Sequence, residues 1–143
     1  MERIEECMSF LLGKAYQQVQ QAAKQRLGAH GVTPTQYALL RVLWERDGQT
    51  GAELGERLLL DSATITGILD RLERAELIVR RSDPGDRRVN RIFATARARD
   101  LQPALDWVMD EVNAAFLKGF APTEQRRLKE QLALLGQVGA RGE

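Results

Sequence analysis

One cysteine and one histidine are all this chain offers of the residue types that most often carry redox, metal and nucleophilic chemistry. Cys7 has no second thiol with which to close an internal disulfide, so the fold must hold by packing. His30 has no clustered ligands and no paired nucleophile in sequence. No glycine-rich nucleotide loop is present either. Catalytic residues, metal ligands and cofactors are therefore not expected, and the chain reads as a non-enzyme. No apolar run approaches the roughly 20 residues of a membrane span. The segment Met1-Glu2-Arg3-Ile4-Glu5-Glu6 is acidic and lacks the apolar core of a signal peptide. A cytoplasmic protein with no membrane partner is the expectation.

Net charge is nearly absent too, at +1. A balance so close to zero argues against a polyanionic partner until the charges are placed along the chain. Between Arg71 and Arg99 stand nine arginines and four acids; the remainder holds twelve basic and sixteen acidic residues. The positive charge is thus concentrated in one short stretch, the footprint expected of phosphate contact. A solvated charged hairpin is the plainer alternative. With 143 residues, 43% of them hydrophobic and 29% charged, one globular domain with a modest core is expected.

The same stretch carries the most specific local signals. Thr33-Pro34-Thr35-Gln36 and Thr50-Gly51-Ala52-Glu53 both have capping-box spacing, and Pro34 suits the first helical position. Ile65, Ile68, Leu69 and Leu72 recur at helical spacing behind an N-cap at Asp61 or Ser62. The opposite face carries Ser62, Ala63, Thr66, Gly67 and Asp70, with Thr64 and Arg71 at its borders. Short side chains let a helix approach base edges, and hydroxyls can bond bases or phosphates. Asp83-Pro84-Gly85-Asp86 then reads as a type II turn, with positive φ at Gly85 and strands at Leu77–Val79 and Arg91–Phe93. On that reading Arg87 and Arg88 start the returning strand and point to opposite faces. Three helices followed by a hairpin predict a mainly α fold with a small β-hairpin: a winged helix-turn-helix.

Four strings make the chain similar to the MarR family of bacterial transcription regulators. They are Thr33-Pro34-Thr35-Gln36-Tyr37-Ala38-Leu39-Leu40, Leu60-Asp61-Ser62-Ala63-Thr64-Ile65-Thr66, Leu69-Asp70-Arg71-Leu72-Glu73 and Asp83-Pro84-Gly85-Asp86-Arg87-Arg88. The resemblance covers nearly the whole chain. It implies a single MarR-like domain over 1–143, with residues 31–99 as the DNA-binding part. Residues 1–30 and 100–143 would form dimerisation helices. It also implies that Arg88 enters the minor groove braced by Asp86. Arg87 would meet phosphate or solvent, and Ser62, Thr64, Thr66 and Arg71 would complete the contact set on an operator duplex. By the same resemblance, Ile4, Met8, Leu11, Leu128, Leu132 and Leu135 are assigned to a homodimer interface. The expected activity is that of a repressor on a pseudo-palindromic operator, released by a small aromatic or acidic effector. Phe10, Tyr16, His30, Tyr37 and Trp107 are the candidate lining of the effector cleft.

Outside the winged part, a first helix is expected from about Ile4 to Leu27. A fifth is expected from after Thr95 to Phe116–Phe120, bent or locally broken by Pro103. A last helix should open at Pro122 behind a weak N-cap, Ala121. The glycine-containing tail from Gly136 should fray. Gly13 in the first helix can serve close helix packing or leave room for a ligand. One branch of the family senses hydroperoxides through a cysteine in the first helix, but Ser9 occupies that place in Ser9-Phe10-Leu11-Leu12. Cys7 falls two residues earlier, about 200° round a continuous helix. A redox repressor using Cys7, or a winged-helix protein-interaction module without DNA binding, are the competing readings.

Overall fold

The computed structural model describes residues 1–137. The tail expected to fray lies, beyond residue 137, outside the described residues. The first helix does not run unbroken from Ile4. Ile4–Glu6 forms a 3-10 turn, Cys7 adopts extended backbone at φ −75° and ψ 120°, and helix α1 runs Met8–Gly28. The Cys7 N–H closes the preceding turn onto the Ile4 carbonyl, while the Cys7 carbonyl accepts the Leu11 N–H and opens α1. Cys7 is therefore the N-cap residue, and an angular position on a continuous helix does not apply to it.

The central helices begin where their caps place them. Helix α2, Pro34–Glu45, has both arms of the Thr33/Gln36 capping box. Helix α3, Gly51–Leu58, has both arms of the Thr50/Glu53 box. Helix α4, Ser62–Arg74, starts at Asp61, whose carboxylate accepts the Thr64 N–H at 2.7 Å. Each cap satisfies backbone donors that a helix start otherwise leaves unpaired.

The sheet has three strands rather than two. Strands β2, Ile78–Ser82, and β3, Asn90–Ala94, form the expected antiparallel hairpin, with Val79 opposite Phe93. A two-residue strand β1, Gln49–Thr50, pairs with the other edge of β3. So short a strand has no alternation to detect. Its anchor is the buried Gln49 side chain, which donates to the Val42 and Arg46 carbonyls at the end of α2. Gly48, just before it, takes φ +74° with Phe93 packed against it, a conformation in which an L side chain is strained.

Helix α5, Ala96–Leu117, continues through Pro103 without the expected local break. Pro103 lies on the exposed side of the helix. The carbonyl left without an N–H partner there can be hydrated, so the lost bond does not interrupt the helix. Helix α6 runs Pro122–Gln137. Its opening is reinforced from inside: the Gln125 amide donates to the Leu117 and Phe120 carbonyls, tying the α5–α6 corner.

The core lies at the winged end. Leu27, Leu39, Leu40, Leu43, Leu54, Leu72, Ile78, Ile92 and Leu105 are fully buried. Helix α6 buries nothing, and α1 buries only Ala23 and Leu27 near its carboxy end. Burial is thus concentrated around α2–α4, the sheet and α5, and is sparse on most of α1 and on α6.

Candidate nucleic-acid interface

Ile65, Ile68, Leu69 and Leu72 anchor α4 on the core, so its other face is turned out. Ser62, Ala63, Thr64, Thr66 and Arg71 are exposed and Gly67 is half-buried. The hydroxyls on this face are not equally available. Thr66 Oγ1 donates to the Ser62 carbonyl at 2.8 Å. Asp61 is held below the usual carboxylate range, chiefly by the Thr64 N–H that its carboxylate accepts.

The wing tip differs from its expected geometry. The described glycines with positive φ are Gly31 and Gly48, so Gly85 does not form a type II turn. Asp83 Oδ1 instead accepts the Gly85 N–H at 2.7 Å, and this side-chain bridge makes the bend. A second turn follows, closed by the Val89 N–H on the Asp86 carbonyl at 3.0 Å. Arg87 and Arg88 occupy that turn, and β3 begins only at Asn90. Strand alternation therefore does not set their directions.

Asp86 and Arg88 nevertheless pair. Asp86 Oδ1 accepts both the backbone N–H and Nε–H of Arg88 at 3.1 Å, and Oδ2 accepts from Nη2 at 3.1 Å. The Arg88 side chain remains 90% exposed. The guanidinium is held by one edge while still facing solvent. Hydrogen bonds from Arg88 hold the Asp86 carboxyl below its usual range, and Asp86 raises Arg88 above its own.

The other arginines of the basic stretch divide into two groups. Arg80 bridges β2 to α4 through Asp70 at 2.8 Å and Glu73 at 3.4 Å. Arg91 bonds Asp83 at 2.5 Å and the Gly48 carbonyl at 3.0 Å. Arg97 caps the Ala75 carbonyl, and Arg99 pairs with Asp47, whose other oxygen accepts the Ala94 N–H. Arg81 stacks over Phe93 at 4.9 Å. These side chains brace the wing. Arg71, Arg74 and Arg87 have no hydrogen-bond or ion-pair partner among the described residues. A charge count along the sequence cannot separate the two groups, because the acids that bind Arg80 and Arg99 come from α4 and the α2–β1 loop.

The five residues proposed for an effector cleft do not converge in one chain. Tyr37 is half-buried in the α2–α5 contact, donating to Asp106 at 2.8 Å and lying edge-on to Trp44. Burial first, and the Asp106 carboxylate second, push its phenol well above the ordinary tyrosine range. Trp107 is exposed with Arg26 over its ring at 5.9 Å. Phe10 lies under Lys14 at 5.9 Å. His30 is exposed between α1 and α2. Tyr16 lines an apolar groove with Leu12, Gly13, Val19 and Leu132. An added Cβ on Gly13 meets nothing within 4 Å, so no close packing within the chain requires this glycine. Trp44 Nε1 was not anticipated: it is buried and has no hydrogen-bond partner.

A helix-turn-helix carrying a three-stranded wing with an exposed, braced arginine defines the winged helix-turn-helix class. The MarR family model matches residues 32–89. The chain is 36% identical to the HTH-type transcriptional regulator TtmR of Methylorubrum extorquens over 85% of its own length. It spans only 57% of that relative, and 54% of the regulator MhqR of Bacillus subtilis, to which it is 35% identical. A probable transcriptional regulator from Pseudomonas aeruginosa is 32% identical with a TM-score of 0.87, covering 93% of this chain and 99% of that one. Two further crystal structures are each 26% identical. The DNA complex of Staphylococcus aureus MepR has a TM-score of 0.85 and covers 92% of this chain and 98% of that one. Rhodococcus jostii CouR bound to p-coumaroyl-CoA has a TM-score of 0.83 and covers 100% and 98%. The chain belongs to the MarR family.

Proposed function

We propose that the protein is a transcription regulator that binds a pseudo-palindromic operator as a dimer, acting as a repressor released by a small effector. The observation that carries the reading is the wing tip, where a nearly fully exposed guanidinium is clamped by its own Asp86. A side chain ordered before binding loses less rotamer freedom on the duplex. A narrow minor groove is the negative, slot-shaped target that suits it. Residues 31–99 supply the reader, with Ser62, Thr64, Thr66 and Arg71 toward the major groove and Arg87 toward phosphate. Because its hydroxyl proton is engaged, Thr66 contributes chiefly its methyl group and an oxygen lone pair.

Residues 1–30 and 100–143 supply the dimer. Ile4, Met8, Leu11, Leu132 and Leu135 are exposed and Leu128 half-buried. A groove of about 640 Å³ between α1, α5 and α6 is lined by Met8, Leu11, Phe116, Phe120, Leu128 and Leu132. An apolar face of this kind suits an obligate interface. Two readers about one helical turn apart then match a two-fold operator. Titration of the protein against duplexes from the DNA flanking its own gene, followed by sedimentation, tests both parts. Salt-sensitive saturation at two chains per duplex is expected. A stable 16.1 kDa monomer, or no preference for any duplex over random DNA, would remove the proposal.

The effector proposed is aromatic or acidic, entering between the dimer helices and the winged part. CouR offers a relative crystallised with an aromatic acyl thioester. Cys7 plays no sensing part in this reading, in which Ser9 holds the place of the family's sensing thiol. Cys7→Ser should keep full operator binding and full release by a phenolic or aromatic acid found by thermal-shift screening. Loss of peroxide-driven release in that variant would favour the redox alternative instead.

A further inference from the structure

Resting on the DNA-binding reading above, we infer that Arg71 reads a guanine in each half-site, and that Gly67 is the seat that lets it do so. Arg71 lies one turn after Gly67 on the exposed side of α4. A Cβ on Gly67 would stand 3.5 Å from Arg71 Nη2. The guanidinium therefore folds back over bare backbone, toward the amino-terminal end of the helix, as helical side chains tend to do. From the last turn of α4, the guanidinium is thereby brought one turn closer to the end that a recognition helix presents to base edges.

The chemistry of the face singles out the same residue. Ala63 and Gly67 offer no side-chain donor, Thr66 spends its hydroxyl proton on the Ser62 carbonyl, and Ser62 and Thr64 carry one hydroxyl each, where Arg71 carries a planar fork. Arg71 has no acceptor anywhere among the described residues. Arg80, by contrast, is committed to Asp70 and Glu73. What remains is a free planar fork of N–H donors beside a gap one side chain wide. Guanine presents the matching pair of acceptors, O6 and N7, in the major groove. Arg74, three residues further from the amino end, is equally free. It is placed for phosphate, which carries no sequence information.

The test is selection from a randomised duplex library by the intact protein and three variants, each followed by titration on the selected site at two salt concentrations. The wild type should select a site with one symmetry-related G·C pair under each α4. Arg71→Ala should lose the preference at that pair alone, with roughly ten- to hundredfold lower affinity for the parent site. Gly67→Leu keeps the arginine but fills its seat, and should relax the same pair. Arg74→Ala should weaken all sequences alike and lower the salt slope by about one. If Arg71→Ala kept every base preference and only lost affinity and salt slope, Arg71 would be a phosphate contact and the inference would fall. Unchanged selection by Gly67→Leu would remove the seat. A wild type that selects no sequence would overturn the DNA-binding reading itself, an outcome separable from the others.

Discussion

Arg88→Ala should cost the protein about ten- to hundredfold in operator affinity and lower the salt slope by about one. Asp86→Ala should also weaken binding, although it removes a negative charge that faces the phosphates. A model of net charge attraction predicts tighter binding by Asp86→Ala, so the sign of that one change decides. The bracing geometry gives the reason. Asp86 accepts the backbone N–H, Nε–H and Nη2–H of Arg88, and the ring of contacts closes within three residues of one turn. Without the carboxylate, the guanidinium must be ordered on the DNA at its own rotamer cost. The same geometry can be followed without DNA. Asp86 titrates below the ordinary aspartate range because Arg88 bonds its ionised form. The brace is accordingly complete at neutral pH and is lost only as pH falls through that lowered value. Arg88→Ala should return the Asp86 carboxyl upward toward the ordinary range in an NMR titration. An Asp86 resonance unmoved by the substitution would mean that the pair is not formed in solution.

Gly55→Ala should destabilise the protein and blunt DNA binding through the turn rather than through any contact. Gly55 is buried on α3, and its carbonyl accepts the Leu60 N–H at 3.0 Å. An added methyl would stand 2.9 Å from the Leu60 backbone oxygen and 3.4 Å from Ile65 Cγ1. The nearer atom is backbone, so no rotamer change relieves it. Either α3 retreats or the three-residue turn that aims α4 opens. Overpacking of this kind costs about 1–3 kcal/mol, only partly offset by the roughly 0.5–1 kcal/mol that alanine gains over glycine in a helix. Gly51→Ala is the control: its methyl would meet only Ile65 and Leu69 side-chain atoms at 3.9 Å. Thermal unfolding should show a fall of several degrees for Gly55→Ala and no fall for Gly51→Ala. Equal melting temperatures for the wild type and Gly55→Ala would show that the turn yields without cost.

Much of the reading head is legible residue by residue because its determinants are local. A Thr with Gln or Glu three residues on closes a capping box within one turn of helix. Aliphatic residues at 3.6-residue spacing choose their own buried face. For these reasons α2, α3 and α4 begin and face as expected. The pairing of Asp86 with Arg88 was legible as well, though on the wrong grounds: the two meet across a turn closed by Val89, not along a strand. Where a nearby side chain takes over the backbone, local expectation fails. Asp83 makes the wing bend without a left-handed Gly85, and Cys7 interrupts the first helix by closing the turn before it.

What the amino-acid order determined by itself is the class: a helix whose outward face carries short side chains beside Arg71, a basic wing, and helices with apolar stripes on either side. Caps, periodicity and turn residues act over a few positions, and those positions are adjacent in the chain. The tertiary structure alone decided which arginines remain free. Arg80, Arg97 and Arg99 look no different in sequence from Arg71, Arg74 and Arg87, but folding brings them to Asp70, the Ala75 carbonyl and Asp47. It likewise decided that β1 exists, since two residues become a strand only when β3 offers its free edge. It decided too that Tyr37 is held by Asp106, 69 positions away. Partners that distant are set by packing of the whole core, and no local pattern records them.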